Sequence, residues 1–158
     1  MSINLKISSN NLDFVNFYND MRNNEKNGFF LNWKNFTKEK ISATKSWIIR
    51  KDHILFTILE NKCPCGYVKL INPTFGESSK DILEIGIYID ENFRKKGIAA
   101  FALNEAKKIF KNKIFVAAVL KNNLASQKLF ESTGYKDFKV SSQDKKVNPN
   151  MLFYINNN

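Results

Sequence analysis

The hydrophobic period changes in the middle of this chain, and that change constrains the fold more than any other feature. Residues 81–90 place Ile-Leu-Glu-Ile-Gly-Ile-Tyr-Ile between two aspartates, a run rich in β-branched residues that predicts the best strand of the chain. From Gly97 the apolar residues recur about every 3.6 positions. A long strand therefore leads into an amphipathic helix, whose apolar face carries Ile98, Ala102, Ala106 and Ile109.

The other segments predict a mixed α+β sheet. Further helices are expected from the cap residues Asn10-Asn11, from Thr37 with Ile41, Thr44 and Ile48 inward, and from Asn123 to Thr133. Trp33 and Phe36 are expected to pack beside the second of these helices. Further strands are expected at 3–7, 54–59, 67–71, 114–119, 135–140 and 151–155. The order β-α-α-β-β-β-α-β-α-β-β mixes hairpins with one crossover, which predicts about seven strands with helices on both faces.

Length and hydropathy favour a single domain. The 158 residues suffice for one core and are too few for two ordinary domains. We expect the domain to span residues 1–155 and the three asparagines at 156–158 to form a disordered tail. No stretch approaches the roughly 18 to 20 apolar residues that cross a bilayer, and residues 1–11 are polar, so we expect a cytoplasmic protein without membrane contact.

Cysteine and histidine usage limits the chemistry. Cys63 and Cys65 are separated by one proline, so they are poorly placed to bridge each other, and we expect reduced thiols. His53 is the only histidine, which rules out a multi-histidine metal site and leaves a histidine-based triad without a supporting motif. We therefore expect no metal.

The formal charge of +10 favours anionic partners by long-range attraction. Nucleic acid, nucleotide-linked substrates and CoA all qualify. The lysines are spread along the chain, and the aromatic residues fall on predicted core faces instead of interleaving with lysines on one exposed strand. We expect no nucleic-acid partner, although a basic nucleic-acid-binding module stays open as a non-enzymatic alternative.

The junction between the best strand and its helix reads Arg94-Lys95-Lys96-Gly97-Ile98-Ala99. A helix start presents unpaired amides and the positive end of its dipole, and small residues let a ligand approach the backbone closely. A diphosphate fits such a turn. Taken alone, the same pattern also describes a plain turn that needs glycine for its backbone angles.

A second segment, residues 123–135, gives this turn a context. It reads Asn-Leu-Ala-Ser-Gln-Lys-Leu-Phe-Glu-Ser-Thr-Gly-Tyr. Together the two segments resemble the GNAT superfamily of N-acetyltransferases, which has a Q/R-x-x-G-x-G/A turn after its fourth strand. The same superfamily has N-x-x-A/S-x-x-L-Y/F-x-x-x-G-F/Y after its fifth strand. The resemblance implies a GNAT-like fold and an enzyme that transfers the acetyl group of acetyl-CoA to a primary amine.

The resemblance also assigns residues to the CoA site. It implies that main-chain groups of Ile87, Tyr88 and Ile89 bind the pantetheine arm like an added strand, between splayed fourth and fifth strands. It implies that the turn from Arg94 to Ala99 holds the pyrophosphate, mainly through the amides of Lys95, Lys96, Gly97, Ile98 and Ala99. Lys95 and Lys96 either add charge there or are solvated loop lysines. Asn123, Ser126 and Phe130 match family positions beside the CoA arm.

Two groups are expected to move protons. Aminolysis needs a neutral amine, whereas a free alkyl amine has a pKa near 10. Glu84 matches a position where several family members carry a base. It either takes the amine proton, directly or through water, or only positions the acceptor. Many members use a tyrosine as the acid where this chain has Phe130. Tyr88 therefore ranks first as the proton donor to the thiolate, with Ser126, water or unassisted departure as alternatives.

The acceptor is the least constrained part. Residues 21–24, 37–47 and 84–88 resemble a subgroup containing ribosomal-protein N-terminal, spermidine and nucleotide-linked amino-sugar acetyltransferases, in which Arg22 lines the acceptor side or simply ends a helix. The charge of +10 attracts a nucleotide sugar and repels polyamines, within a screening length of about 8 Å. We favour the nucleotide-linked amino sugar over a protein N-terminus, a polyamine, an aminoglycoside or a CoA-binding regulatory role. A monomer and a homodimer both remain open.

Overall fold

A seven-stranded sheet with the order β1-β2-β3-β4-β5-β7-β6 forms the centre of the fold. The computed structural model describes residues 2–24, 40–75, 79–140 and 148–157. The strands are β1 (Ile3–Ile7), β2 (His53–Glu60), β3 (Cys63–Ile71), β4 (Ile82–Ile89), β5 (Ile114–Leu120), β6 (Lys136–Phe138) and β7 (Met151–Asn157). The helices are α1 (Leu12–Asn23), α2 (Ile41–Ile48), α3 (Ile98–Ile109) and α4 (Leu124–Ser132).

The sheet is antiparallel except at one pair. Strands β1 to β4 form successive antiparallel neighbours, and β5, β7 and β6 form a second antiparallel group. The two groups meet where β4 pairs with β5 in parallel. A parallel pair needs a crossover connection, and α3 supplies it. The mixed sheet predicted from the sequence is confirmed.

Side chains alternate between two helix-covered faces. On β2, Leu55 packs with Val15 of α1 and Ile48 of α2 on what we call the α1–α2 face. The next residue, Phe56, belongs to the cluster that includes Ile98 of α3 on the opposite, α3–α4 face. Successive strand residues point to opposite faces, so one strand supplies both cores. The prediction of helices on both faces is confirmed.

The helix starts depart from expectation at α2. Asn11 Oδ1 accepts a hydrogen bond from the Asp13 amide at 2.9 Å, as its predicted cap role requires. By contrast, α2 has Lys40 at its N-cap without a side-chain cap bond. Ile41, predicted to face inward, is 51% exposed, because it lies at the first helical position. Thr37, Trp33 and Phe36 lie outside the described residues.

The hairpin between β2 and β3 is tighter than expected. Asn61 and Lys62 form its turn with positive φ angles of 48° and 72°, the pattern of a two-residue hairpin turn. The strand β3 therefore starts at Cys63, four residues before the predicted Tyr67. Pro64 is accommodated because the ladder is irregular between Ile58 and Leu59. Cys63 and Cys65 are both free thiols, as expected.

The last strand is longer than the sequence pattern suggests. Asn156 and Asn157 pair with Phe115 and Ile114 of β5, so the expected disordered tail at 156–158 is wrong for its first two residues. The Asn156 side-chain amide donates to the Gly134 carbonyl at 2.8 Å. A strand needs only main-chain partners, which asparagine also offers. Asn158 lies outside the described residues. Among the helices that the structure describes, none is long and apolar enough to cross a lipid bilayer.

Candidate active site

An open slot divides the sheet between β4 and β5. Their parallel pairing starts at Ile82 with Ile114 and ends at Glu84 with Val116. Beyond this point β4 continues to Ile89 along β3, whereas β5 continues to Leu120 along β7. The two strands have therefore separated, and the splay implied by the family resemblance is confirmed.

The β4 edge of the slot offers main-chain groups to a ligand. The Asp90 amide donates to the Cys65 carbonyl at 2.9 Å, toward β3. Main-chain direction alternates along an antiparallel ladder. The main-chain groups of Ile87 and Ile89 therefore face the slot, whereas the main-chain groups of Tyr88 point toward β3. The Ile89 carbonyl already accepts a bond from Arg94 Nε at 2.9 Å.

The turn after β4 forms an uncapped helix start. Gly97, the N-cap of α3, has φ of +75° and makes no side-chain cap bond. The first helical bond runs from the Phe101 amide to the Gly97 carbonyl at 3.0 Å. The amides of Ile98, Ala99 and Ala100 precede this bond in the chain. They have no carbonyl within the helix to donate to. A Cβ added at Gly97 would meet no atom of the described residues within 4 Å. This open, donor-rich start fits a diphosphate.

The two lysines of the turn differ in placement. Lys95 is exposed and has φ of +62°, a left-handed conformation that lysine adopts at a cost of about 1 kcal/mol. The ammonium of Lys96 lies 3.3 Å from Glu60 Oε2 and 5.0 Å from the centroid of the Phe93 ring. Both lysines are exposed, but Lys96 is held toward the end of β2 by its ion pair with Glu60.

The start of α4 lies beside the other edge of the slot, directly after β5. Asn123 is the N-cap of α4, and its Oδ1 accepts a bond from the Ser126 amide at 3.2 Å. Both residues are half-buried. The structure therefore gives Asn123 a capping role in addition to the CoA contact that its family position implies.

Three residues of β4 form a row on the α1–α2 face. Glu84, Gly86 and Tyr88 point to this side by two-residue alternation. Glu84 Oε2 accepts bonds from the Thr74 amide at 2.8 Å and the Thr74 hydroxyl at 2.7 Å. Among the described residues, a Cβ added at Gly86 would approach only the Lys69 carbonyl, at 4.0 Å. Glu84 and Tyr88, about 13 Å apart along the strand, thus flank an open position.

Aromatic side chains and one arginine surround this row. Tyr88 is buried and stacks on Tyr67 with centroids 5.7 Å apart. The guanidinium carbon of Arg22 lies 5.0 Å from the ring centroid of Trp47, whose ring lies 6.1 Å from Tyr67. Arg22, predicted on the acceptor side, therefore lies on the α1–α2 face at the end of α1. It adds positive charge beside this cluster of aromatic side chains.

The family of this chain follows from a match between its sequence and a protein-family model. The model of the Acetyltransferase (GNAT) family matches residues 10–135, from the start of α1 to the end of the α4 segment. The chain belongs to this family. It is an acetyl-CoA-dependent N-acetyltransferase, with acetyl-CoA as co-substrate.

Solved structures show the same fold. A domain from Methanocaldococcus jannaschii DSM 2661 is 23% identical, with a TM-score of 0.74 over 98% of this chain and 97% of that one. The aminoglycoside acetyltransferase AAC(6')-Ib with ribostamycin and coenzyme A is 10% identical, with a TM-score of 0.77 over 98% and 92%. The Microcin C7 self immunity acetyltransferase MccE with acetyl-CoA and AMP is 18% identical, with a TM-score of 0.76 over 98% and 91%. No curated protein sequence matches significantly.

Phe130 of this acetyltransferase lies in the core. It is 3% exposed, with its ring 4.9 Å from Tyr135 and stacked 6.0 Å from Tyr154. A side chain that is buried to this extent has little surface for a ligand. The structure therefore shows no exposed Phe130 surface for the predicted contact with CoA. Its neighbours instead fix α4 against β7.

Two tyrosines of the α1–α2 face hold their protons tightly. Burial raises the pKa of Tyr18 to about 12, partly offset by hydrogen bonds with Ser8 and Thr57. Burial also raises the pKa of Tyr67 above its ordinary value, and the nearby Tyr18 and Tyr88 add to this. A raised pKa makes a phenol a weaker acid, so Tyr18 and Tyr67 are less suited than an ordinary tyrosine to give a proton to a departing thiolate.

Sequence reasoning misses Thr74, Tyr67 and Trp47 as neighbours of the site. Thr74 lies in a polar loop, ten residues before Glu84, and carries no motif. Tyr67 is expected only as the start of a strand, and Trp47 only as the end of the 37–47 stretch that resembles the acetyltransferase subgroup. The aromatic content of both segments is the only available signal. Within the described residues, no group of three or more His, Cys, Asp or Glu side chains could hold a metal ion.

Proposed function

We propose that this acetyltransferase acetylates the amino group of a nucleotide-linked amino sugar that approaches from the α1–α2 face. The observation that carries the proposal is the position of Arg22, a cation next to Trp47 on the face where Glu84, Gly86 and Tyr88 form their row. Arginine pairs with phosphate through planar, bidentate bonds, and aromatic rings stack on nucleobases or sugars. The half-buried Trp47 ring and the arginine together suit an anionic nucleotide.

Charge supports the same acceptor class. The net charge of +10 attracts a diphosphate and opposes polyamines and lysine-rich peptides at a distance. MccE is described with acetyl-CoA and AMP together, so a fold of this shape accommodates a nucleotide beside the co-substrate. Residues 21–24, 37–47 and 84–88 resemble a subgroup that contains amino-sugar acetyltransferases together with ribosomal-protein N-terminal and spermidine acetyltransferases, so this resemblance agrees with the proposed acceptor without selecting it. Residues 37–39 lie outside the described residues.

The co-substrate is held by the slot and the turn in this proposal. Acetyl-CoA, when bound, supplies an acetyl group activated as a thioester. The amides of Ile98 and Ala99 donate to its diphosphate with those of Lys95 to Gly97, and the main chain of Ile87 and Ile89 lies along its pantetheine arm. Asn123 and Ser126 contact the arm from α4. Arg94 keeps the turn folded against the end of β4.

Proton transfer is assigned to the two ends of the β4 row. The amine attacks above Gly86, where the missing side chain leaves room between Glu84 and Tyr88. The N–C bond forms and the C–S bond breaks, while Glu84 takes the amine proton, directly or through one water. Tyr88 returns a proton to the departing sulfur. Placing base and acid on one rigid strand fixes both relative to the reacting carbon.

A free-thiol assay over matched acceptors tests the proposal. The panel contains a nucleotide-linked 4-amino sugar, the same amino sugar without its nucleotide, spermidine and a ribosomal-protein N-terminal peptide, with product masses measured. We expect the nucleotide-linked sugar to have the highest kcat/KM. Arg22→Gln should raise KM for that acceptor about tenfold, on the order of one charged hydrogen bond, and leave KM for acetyl-CoA unchanged.

The controls separate charge from folding. The melting temperature of Arg22→Gln shows whether its loss of the Trp47 contact disturbs the fold. Faster turnover of spermidine or of the peptide than of the nucleotide sugar would overturn the acceptor assignment and favour a polyamine or N-terminal acetyltransferase instead.

A further inference from the structure

The loop between β3 and β4 makes a two-point contact with Glu84. Both donors of Thr74, its amide at 2.8 Å and its hydroxyl at 2.7 Å, bond to the same carboxyl oxygen, Oε2. Glu84 is half-buried, and a glutamate of that exposure would otherwise sample several rotamers. Two hydrogen bonds to one oxygen fix the plane of the carboxyl group. That plane determines the direction in which Oε1 points.

The loop itself is anchored in the core. Phe75, the residue after Thr74, is 5% exposed, and its ring lies 4.6 Å from the ring of Phe153 on β7. The same cluster includes Val116, which is the β5 partner of Glu84 at the last paired position before the slot opens. The donor residue is therefore fixed to the same part of the sheet as the carboxyl group that it binds.

We propose that Thr74 is a positioning residue for the transfer reaction: it holds the Glu84 carboxyl group at the closed end of the slot in the orientation that takes the amine proton. The proposal rests on the proposed function, in which Glu84 is the proton acceptor. Phe75 contributes by fixing the Thr74 backbone. The position of the amide donor is therefore determined by packing, and the position of the hydroxyl donor by the Thr74 side chain. Of the two donors, the hydroxyl is the one that a substitution of the same side-chain shape removes.

A double-mutant cycle tests this role. Thr74→Val keeps the shape and the amide donor but removes the hydroxyl, and we expect kcat to fall about tenfold, the scale of one hydrogen bond to a charged group. KM for acetyl-CoA should stay the same, because Thr74 does not touch the CoA side of the slot. Thr74→Ser retains the hydroxyl and should restore most of kcat. In a Glu84→Gln background, Thr74→Val should have little further effect, since its action runs through Glu84.

A matched control removes the same chemical group elsewhere. The Thr133 hydroxyl donates to the Leu129 carbonyl at 2.8 Å at the end of α4. Thr133→Val should lower the melting temperature and leave kcat unchanged. A merely structural Thr74 would resemble this control.

The outcomes distinguish two failures. If Glu84→Gln lowers kcat but Thr74→Val does not, or if the two effects add in the double variant, the positioning role of Thr74 is wrong and the proposed base stands. If Glu84→Gln itself retains full kcat, the assignment of the base fails, and Thr74 has no reaction to serve.

Discussion

The proposed acid role of Tyr88 depends on a single atom, its hydroxyl oxygen. Its ring stacks on Tyr67 in a buried cluster, so Tyr88→Phe preserves the packing while removing the proposed acid. We expect kcat to fall about tenfold, less than the roughly 100-fold or more that is typical of general-acid catalysis, because a thiolate with a pKa near 8.5 leaves fairly well without help. The basic limb of the pH profile of kcat should flatten.

A second tyrosine provides the comparison for this substitution. The Tyr135 hydroxyl is buried and has no hydrogen-bond partner among the described residues. Tyr135→Phe should therefore leave kcat unchanged and leave stability equal or slightly higher. An unchanged pH profile in Tyr88→Phe would assign the proton to Ser126 or to water.

At the scale of elements, the start of α3 decides how the co-substrate is held. Gly97 has φ of +75° and open space where a Cβ would project. Gly97→Ala places a methyl group in that space and strains the backbone by about 1 kcal/mol. We expect KM for acetyl-CoA to rise about tenfold, on the order of 1.4 kcal/mol of binding, with a small loss of melting temperature.

The end of α4 offers a glycine with a similar backbone. Gly134 has φ of +88°, and an added Cβ would lie 3.3 Å from the Asn156 side chain, away from the slot. Gly134→Ala should cost similar or slightly greater stability and leave KM for acetyl-CoA unchanged. Equal effects of the two substitutions on KM would mean that Gly97 serves only its turn.

Element boundaries show where sequence patterns stop being informative. The change of period at Gly97 predicts β4 and α3 correctly, because burial on one face imposes the period. The start of β3 at Cys63 and the end of β7 at Asn157 are missed. Both depend on main-chain pairing with a neighbouring strand, which the residue types of Pro64 or Asn156 do not reveal.

At the scale of the whole molecule, His53 links stability to pH. Burial lowers the pKa of His53 below its ordinary 6.5, against the opposing effect of Asp52 at 3.5 Å and with smaller contributions from Lys69 and Arg50. As pH falls below 6.5, the unfolded chain takes up the proton more readily than the folded one, so stability declines toward the folded-state pKa. Above pH 6.5 this group contributes no slope.

Urea unfolding at pH 7.5 and 5.5 measures this effect. We expect a lower midpoint at pH 5.5 for the native chain, and a smaller difference between the two pH values for His53→Gln, which cannot take up the proton. A midpoint that is the same at both pH values in the native chain would show that folding does not lower the pKa of His53, and the prediction would be wrong.

The sequence by itself determined the fold class, the strand-to-helix turn and the family, because each is encoded by residues close together in the chain. The period of the apolar residues sets the element type, and the spacing of small and polar residues at Gly97 and Asn123 sets the helix starts. Glu84 and Tyr88 fall on one face for the same local reason.

Only the tertiary structure decided what surrounds those residues. The residue at which β4 separates from β5, the contact of Thr74 with Glu84 and the burial of Phe130 all depend on how strands, loops and helices pack against one another. Such contacts arise from packing of whole elements, and no local pattern encodes them. The change of period at Gly97 therefore locates the co-substrate, and the assembled sheet determines which groups reach it.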